Sequence, residues 1–361
     1  MSEPDAVLVS AENVWLGRWL GPSVLRVENG SLEYVGPLPD RDASLAPEAF
    51  NRRAVIEAHL PGAVLHGITD HHVHLGLIDA HDLLANGIAR VKDLGWKPLE
   101  AAEWARTGRV GYPTAHVGVD FAGAFLTSIG GYPSTRSWAP AASVRQILTP
   151  AEGVAAVAEM ASAGVSQIKI ALNTAAGPVW GDAVLEAVVN AAHAKGLPVV
   201  AHTEGAGQAH RAVVAGVDTL AHTPWSELLT DEEIAHHVTS GCAWISTLDI
   251  HGHGDYGIDF HVASDNLARF AALGGRVLYG TDLGNGPLPV GLNTRELEAL
   301  VSAGLSIKAL LDSLAEHPGR SEFGTRISYV AGALPVERTD YPAWLAASKV
   351  LAASDLKELF S

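Results

Sequence analysis

Residues 197–223 read LPVVAHTEGAGQAHRAVVAGVDTLAHT. Two short apolar runs, LPVVAHT and VDTLAHT, flank an alanine-rich stretch of helical length, and each run ends in His-Thr. A strand, a helix and a second strand in this order form a parallel pair, because the helix carries the chain back to the edge where the first strand began. The same alternation continues on both sides of this unit.

Eight β-branched, apolar runs follow one another over residues 64–282. In chain order they are AVLHGITDHHVHL, IARVKDLG, TAHVGVDFAG, VSQIKIAL, LPVVAHT, VDTLAHT, AWISTL and RVLYGTD. Eight strand–helix units predict an α/β fold built on a closed (β/α)8 TIM barrel. A doubly wound open sheet is the alternative, but its usual dinucleotide-binding fingerprint is missing from the sequence.

Two helix starts between these runs have a clear signature. The sequences TPAE at 149–152 and TDEE at 230–233 are capping boxes, and the first also has proline at the first helical position. The second helix is expected to end at Gly241. The segment 121–148 is long and reads as a loop, which makes it a candidate lid or substrate loop.

The flanks of the barrel differ in character from its centre. Residues 1–63 are β-rich and contain Asn29-Gly30, a strong hairpin signal. We expect them to form a small β-sandwich domain, residues 64–324 to form the barrel, and residues 325–361 to complete the small domain. This last segment reads as strands followed by a C-terminal helix from Tyr341.

Composition limits the classes of function. Hydrophobic residues make up 48% and charged residues 18%, so a large core is expected. A net charge of −16 opposes binding to nucleic acid and to anionic membranes, and no run of 18 apolar residues is present. The single cysteine, Cys242, cannot form a disulfide within the chain, and MSEPDAVLVS does not resemble a signal peptide. We therefore expect a cytoplasmic protein that acts on a small molecule, and a homo-oligomer remains open.

Titratable residues end several of the eight runs. His72 and His74 in DHHVHL lie two residues apart, so in a strand they share one face, whereas His71 faces the other way. A lone His-x-His is weak evidence for a metal site, and a histidine in the core often has a purely structural role.

Four later runs strengthen the case for a metal site. Lys169 interrupts QIKIAL, His202 ends LPVVAHT, His222 ends VDTLAHT and Asp282 ends VLYGTD. Barrel active sites are built at these carboxyl ends, so one shared site is favoured over four unrelated structural residues. Four imidazoles and a carboxylate are a ligand set suited to a divalent ion, zinc by preference.

This ordered set resembles the amidohydrolase superfamily, and more narrowly its imidazolonepropionase-like and prolidase-like branch. The resemblance covers roughly residues 50–320 and is carried by GITDHHVHL, IARVKDLG, QIKIALN, VVAHTEGAGQAHRAVVAGVDTLAHTPWSELLTDEEI and VLYGTDLGN. Two departures stand out. His66-Gly67 occupies the place of the family's Pro-Gly, and the family's glycine-lysine-alanine-aspartate signature near the C-terminus is absent.

The resemblance implies a metal-dependent hydrolase with two divalent ions. By this similarity His72, His74 and Asp282 hold the buried ion, and His202 and His222 hold the more exposed one. Six candidate ligands, with Lys169 included, exceed the four of an ordinary mononuclear zinc site.

Lys169 has a special role in the family pattern. The resemblance implies that carbon dioxide carboxylates its amine and that the resulting carbamate bridges the two ions. The chemistry agrees, because an ammonium would be repelled by metal cations, whereas a carbamate is a bidentate anion that can bridge ions about 3.5–4 Å apart. The alternative is one ion, with Lys169 unmodified, on His72, His74, Asp282 and either His202 or His222.

The implied reaction is hydrolysis of a C–N bond in a small molecule: an amide, a cyclic amide or a dipeptide-like bond. A metal-bridging hydroxide attacks the carbonyl, and Asp282 moves the proton to the leaving nitrogen. Alternatives on the same site are a lactone, carbamate or ester hydrolase, with a phosphotriester less favoured. A non-catalytic metal-binding barrel is the alternative from another class.

Aromatic and polar residues a few positions beyond the strand ends are candidates for substrate binding. They could line the mouth of the barrel, or the tryptophans could simply cap it. Few cations occur near these ends, which favours a neutral or singly charged amide over a phosphate ester. The candidate substrate-binding residues are Trp96, Tyr132, Arg136, Trp180, Trp225, His251 and His253, with Trp138, Glu204 and Asn285 beside them.

Overall fold

The computed structural model describes residues 6–39, 56–111 and 115–360. The remainder of the predicted N-terminal segment, residues 1–5 and 40–55, lies outside the described residues. The strands are β1 (Val7–Val14), β2 (Ser23–Glu28), β3 (Ser31–Pro37), β4 (Ile56–His66), β5 (Thr69–Val73), β6 (Arg90–Asp93), β7 (Arg109–Val110), β8 (Ala115–His116), β9 (Gly118–Phe121), β10 (Phe125–Ser128), β11 (Val144–Ile147), β12 (Ile168–Asn173), β13 (Val199–Glu204), β14 (Thr219–Leu220), β15 (Ala243–Ile245), β16 (Val277–Leu278), β17 (Glu322–Gly324), β18 (Arg326–Ala331) and β19 (Lys349–Ala352).

The helices lie mainly between the parallel strands. They are α1 (Pro98–Thr107), α2 (Pro150–Ser162), α3 (Asp182–His193), α4 (Gln208–Val214), α5 (Asp231–Thr239), α6 (Ile258–Ala272), α7 (Thr294–Ser302), α8 (Ile307–Ser313), α9 (Tyr341–Ala346) and α10 (Leu356–Phe360). Both predicted capping boxes form, at Thr149 with Glu152 and at Thr230 with Glu233. In the described parts of the chain no helix is long and apolar enough to cross a membrane.

The two ends of the chain meet in one seven-stranded sheet, in the order β17-β3-β2-β1-β4-β18-β19. Its β2–β3 hairpin turns at Asn29 and Gly30, whose φ angles of 52° and 73° are typical of the tight turn that Asn-Gly predicts. Tyr341 begins a helix, as expected, but between residue 325 and this helix only one of the expected strands forms, β18. The second strand, β19, lies beyond α9 and pairs antiparallel with β18.

Parallel sheets form the centre of the molecule. One contains β11-β10-β12-β13-β14-β15-β16, and a second contains β5-β6-β9. Each of the eight predicted runs includes a strand of these sheets. The mixed α/β fold with parallel strands is therefore confirmed.

Backbone hydrogen bonds join the two parallel sheets at two places. At the first, the amide of Asp282 donates to the carbonyl of His72 at 2.8 Å, and at the second the amide of Ser166, two residues before β12, donates to the carbonyl of Phe121, the last residue of β9, at 2.9 Å. The first of these contacts brings the carboxyl end of β5 beside the segment that follows β16. Residues far apart in sequence thereby meet at one end of the parallel strands.

The segment 121–148 is less irregular than its sequence suggests. It contains β10 and β11, which pair in parallel and extend the larger sheet through Leu126 opposite Ile170. The prediction of a long loop was wrong here because Phe125 and Leu126 are buried in a strand that pairs with β12. Between β10 and β11, residues 129–143 include Tyr132 and Arg136, which line the cavity described below.

Candidate metal centre

Three side chains, two from the carboxyl end of β5 and one from the segment after β16, converge on one point. Nε2 of His72 lies 3.1 Å from Oδ1 of Asp282, and Nε2 of His74 lies 3.2 Å from the same oxygen. One ligand atom from each residue falls within 4.8 Å of the others, and all three residues are buried. The shared strand face predicted for His72 and His74 places both imidazoles at this point.

The other nitrogen of each of these histidines faces a backbone carbonyl. Nδ1 of His72 lies 2.7 Å from the carbonyl oxygen of Ala221, and Nδ1 of His74 lies 3.4 Å from that of Gly95. An Nδ1–H that donates to a carbonyl leaves the lone pair of Nε2 free, which is the arrangement that histidine ligands adopt in metal sites. Burial also lowers the pKa of His72 well below its ordinary value, so its imidazole is neutral at pH 7.

Asp282 fits the same purpose. Its Oδ2 accepts a hydrogen bond of 2.9 Å from Asn285, whereas its buried Oδ1 has no hydrogen-bond partner among the described residues. A buried carboxylate oxygen without a hydrogen-bond donor, facing Nε2 of two imidazoles, costs free energy unless a cation is bound there. The donor set therefore fits a divalent ion.

Lys169 reaches the same point from β12. Its Nζ lies 3.4 Å from Nε2 of His72, and the residue is 1% exposed. On its other side the amine lies 6.0 Å from the ring centre of Phe125. Burial lowers the pKa of Lys169 to about 7, with Asp282 and Asp93 opposing the shift.

His202 lies on β13, and His222 lies two residues after the end of β14. The ring centre of His222 lies 4.7 Å from that of His72 and 5.0 Å from that of His202. Nδ1 of His222 lies 2.9 Å from the hydroxyl oxygen of Thr247. The structure therefore brings together all six metal-ligand candidates of the sequence.

The sequence did not lead us to expect the pair formed by Asn173 and Glu204 beside His202. The amide nitrogen of Asn173 lies 3.2 Å from Nε2 of His202 and donates to the carboxylate of Glu204 at 2.6 Å. Asn173 is four residues after Lys169 on β12, and the strand period of two places both on the same face. That spacing was the available signal. No comparable sequence signal marked Thr247 or Asp70, because their roles, described below, depend on tertiary contacts.

A cavity of about 290 Å³ opens above this centre. Its lining includes four of the candidate substrate residues: Tyr132, Arg136, Trp225 and His251. Tyr132 stacks on His202 with ring centres 4.8 Å apart, and Trp225 lies edge-on to His222 at 5.2 Å. The remaining lining residues are Asn173, Ala175, Ala176, His202, Glu204, His222, Ile250, Asp282 and Asn285.

Three candidate substrate residues lie outside this lining. The indole N–H of Trp96 donates to Glu100 at 3.0 Å, and that of Trp180 donates to the backbone carbonyl of Ile147 at 3.1 Å. Both indoles are buried in the protein. His253 belongs to the same loop as His251 but does not reach the cavity wall.

Comparisons with known proteins agree with this architecture. No protein-family model matches the chain. Over 100 residues the chain is 35% identical to uncharacterized proteins of Mycobacterium bovis and Mycobacterium tuberculosis, and the match spans only 26% of this chain and 26% of each relative.

Solved structures resemble the whole chain. An Xaa-Pro dipeptidase with bound methionine has a TM-score of 0.75 at 18% identity, covering 97% of this chain and 98% of that one. The ochratoxinase of A. niger also has a TM-score of 0.75, at 15% identity and 98% and 95% coverage. Phenylurea hydrolase B reaches 0.69 at 16% identity, with 98% of each chain covered. The expected resemblance to prolidase-like amidohydrolases is thus confirmed for the fold.

Proposed function

We propose that this chain is a metal-dependent amidohydrolase that cleaves a C–N bond in a small molecule. The observation that carries the proposal is the convergence of His72, His74 and Asp282, whose Oδ1 has no hydrogen-bond partner among the described residues, beside a cavity that Asp282 helps to line. Two imidazoles and a carboxylate directed at one point favour a divalent cation, and the adjoining cavity offers room for a substrate. The structural neighbours named as a dipeptidase and a phenylurea hydrolase support the same reaction class.

We assign two divalent ions to the centre, zinc by preference. His72, His74 and Asp282 would hold the buried ion, and His202 and His222 the exposed one. The chemistry supplied by bound ions is activation of water and polarisation of the scissile carbonyl.

Lys169 would contribute as a carbamate derived from carbon dioxide. Its Nζ lies 3.4 Å from Nε2 of His72, in a buried position that offers an ammonium no acidic hydrogen-bond partner among the described residues. A carbamate at this position would exchange a positive charge for a negative one beside two cations. The support for this assignment is the contact of the amine with His72 and the charge interaction of Lys169 with His202 and His222.

Asp282 would move the proton. Its Oδ2 accepts a hydrogen bond from the amide of Asn285 at 2.9 Å, and its Oδ1 faces Nε2 of His72 and of His74. We propose that this carboxylate takes a proton from the water nucleophile and delivers it to the leaving nitrogen. General acid–base catalysis requires such a group within hydrogen-bond reach of both sites.

The cavity favours a small, polar amide substrate. Its volume of about 290 Å³ suits a molecule of roughly dipeptide size. Arg136 places a positive charge in its lining, Glu204 adds a negative charge beside that of Asp282, and the indole of Trp225 adds an apolar surface. A multiply charged phosphate ester would lack compensating cations here.

The test is a metal analysis combined with a substrate screen. Protein purified without chelator should contain about two equivalents of divalent metal, as the ligand count implies. It should hydrolyse a member of a panel of N-acyl amino acids, dipeptides and cyclic amides, with lactones as the comparison for ester chemistry. A protein that contains the metal but cleaves none of them would favour a metal-binding role, and a ceiling of one ion after adding metal and bicarbonate would overturn the two-ion assignment.

We also propose the finer architecture that the sequence predicts. The parallel strands would close into an eight-stranded barrel over residues 64–324, and residues 1–63 and 325–361 would form a small β-sandwich. The backbone hydrogen bonds that join the two parallel sheets, at Asp282 and at Ser166, support closure. A cytoplasmic location and the absence of a nucleic-acid or membrane partner likewise remain proposals.

A further inference from the structure

Thr247 has an unusual backbone conformation. It lies two residues after β15, is fully buried and has a φ of 44°. Positive φ is costly for a side chain branched at Cβ, because the extra heavy atom crowds the backbone. Among the described non-glycine residues with positive φ, the others are Asn29, His253 and Asp282, and none of these is β-branched.

Hydrogen bonds hold the backbone on both sides of this residue. The amide of Thr247 donates to the carbonyl of Gly280 at 3.0 Å. The next two amides, of Leu248 and Asp249, donate to the buried carboxylate of Glu296 at 3.0 Å and 2.7 Å. The strained conformation therefore persists because its neighbours are fixed on two elements.

The side chain of Asp249 secures the same turn. Its carboxylate accepts hydrogen bonds from Arg295 at 2.8 Å, from Asn293 at 2.7 Å and from the hydroxyl of Tyr256 at 2.9 Å. This network lies outside the cavity lining. The turn contacts the candidate metal centre through the hydroxyl of Thr247.

That contact is directed at one atom. The hydroxyl oxygen of Thr247 lies 2.9 Å from Nδ1 of His222. The other neighbours of this imidazole are the rings of His72, His202 and Trp225, at 4.7, 5.0 and 5.2 Å between ring centres. No other hydrogen-bond partner of Nδ1 occurs within the described residues.

We propose that Thr247 is a positioning residue that selects the tautomer of His222. The hydroxyl oxygen accepts a hydrogen bond from Nδ1–H, which keeps the proton on Nδ1. The lone pair of Nε2 is then free to bind a cation. The left-handed backbone is the conformation that aims the hydroxyl at this ring. The inference rests on the proposed function in so far as His222 is assigned there to the exposed ion, but the tautomer itself belongs to the metal-free protein.

The experiment compares two substitutions at this position. Thr247→Val keeps the shape and the branched Cβ but removes the hydroxyl, and Thr247→Ser keeps the hydroxyl. Thr223→Val is the matched control, because Thr223 is also buried and adjacent to His222, yet its hydroxyl has no hydrogen-bond partner among the described residues.

The first measurement is the tautomer of His222 in the full-length, metal-free protein, read from the ¹⁵N shifts of the imidazole nitrogens. Wild type, Thr247→Ser and Thr223→Val should show the proton on Nδ1, whereas Thr247→Val should show a mixture or the Nε2 tautomer. An unchanged tautomer in Thr247→Val would overturn the proposal. This readout does not depend on whether the protein hydrolyses anything.

The second measurement is the affinity for Zn²⁺ in competition with a chelator. Loss of a group that orients a metal-binding histidine commonly weakens metal binding by about 10–100-fold, and we expect this for Thr247→Val at the weaker site. Thr247→Ser and Thr223→Val should stay within about threefold of wild type on the same scale. A shifted tautomer with unchanged Zn²⁺ affinity would retain the tautomer role and remove His222 from the ligands of the proposed function.

Discussion

The carboxylate of Asp70 accepts two hydrogen bonds from Thr281, one from the hydroxyl at 2.5 Å and one from the backbone amide at 3.1 Å. It also accepts the amide of His72 at 3.0 Å. This single buried side chain therefore ties the first parallel strand to the segment after the last. Asp282 follows Thr281 directly, so the same bonds set the separation between two proposed metal ligands.

Removal of this carboxylate should destabilise the fold. Asp70→Ala would leave three buried donors without a partner, and each such donor costs about 1–3 kcal/mol. We expect the free energy of unfolding, measured with urea, to fall by at least about 2 kcal/mol. Asp79→Ala is the control, because among the described residues the Asp79 carboxylate accepts one exposed amide, from His81, and its loss should change stability by less than about 0.5 kcal/mol. Equal stability of the two variants would contradict this reading.

Substitution of Asp282 should separate structure from chemistry. Asp282→Asn keeps the shape and a ligating oxygen but cannot carry a proton. We expect turnover to fall by about two to four powers of ten, the usual contribution of general acid–base catalysis. The fold should persist, which circular dichroism can check. Undiminished turnover in a metal-loaded variant would assign the proton transfer to another group.

Lys169→Ala should remove the bridge between the two groups of ligands. Metal content should fall from about two equivalents towards one, because fewer than the usual four ligands remain for the second ion. Acetate or propionate should partly restore activity, since a short carboxylate can occupy the space of the carbamate. Normal metal content and activity without any added carboxylate would show that Lys169 has no such role.

Glu296 should make stability depend on pH. Burial raises its pKa to about 7, although the amides of Leu248 and Asp249 oppose the shift. A carboxyl group with a raised folded-state pKa stabilises the fold fully below its unfolded pKa, near 4.5, and loses that contribution as pH rises through about 7. The contribution is of the order of 3 kcal/mol.

Glu296→Gln mimics the protonated form and tests this dependence. Wild type minus variant unfolding free energy, measured with urea at several values between pH 5 and pH 8, should decline as pH rises. A difference that stays constant over this range would mean that Glu296 does not titrate there.

Much of the architecture could be predicted because its signals are local. Asn29-Gly30 turns where a tight hairpin turn requires positive φ, and Thr149 caps a helix with Glu152 as the spacing indicates. The metal-ligand candidates could be grouped because parallel strands end at the same edge, so a polar residue that ends each run must lie near the others.

The side-chain directions of the large aromatic residues could not be predicted in this way. Trp96 and Trp180 follow strand ends just as Trp225 does, yet only Trp225 reaches the cavity. The ring of Trp96 packs where a Cβ on Gly76 would lie 1.9 Å from it. Such a contact depends on a glycine twenty residues away and on the path of the intervening chain, neither of which sequence periodicity encodes.

The junction between β5 and the segment after β16 has a consequence for folding kinetics. His72 and Asp282 lie on opposite sides of it, so the centre exists only after the two ends of a chain segment of more than 200 residues have met. Contacts of such long sequence separation form late. Transient opening of this junction alone would separate the ligands while the other strands stay paired, and such local openings occur below the global unfolding free energy. The rate of metal dissociation would then measure the local opening of this one junction. Amide hydrogen exchange at Asp282 should follow the same opening.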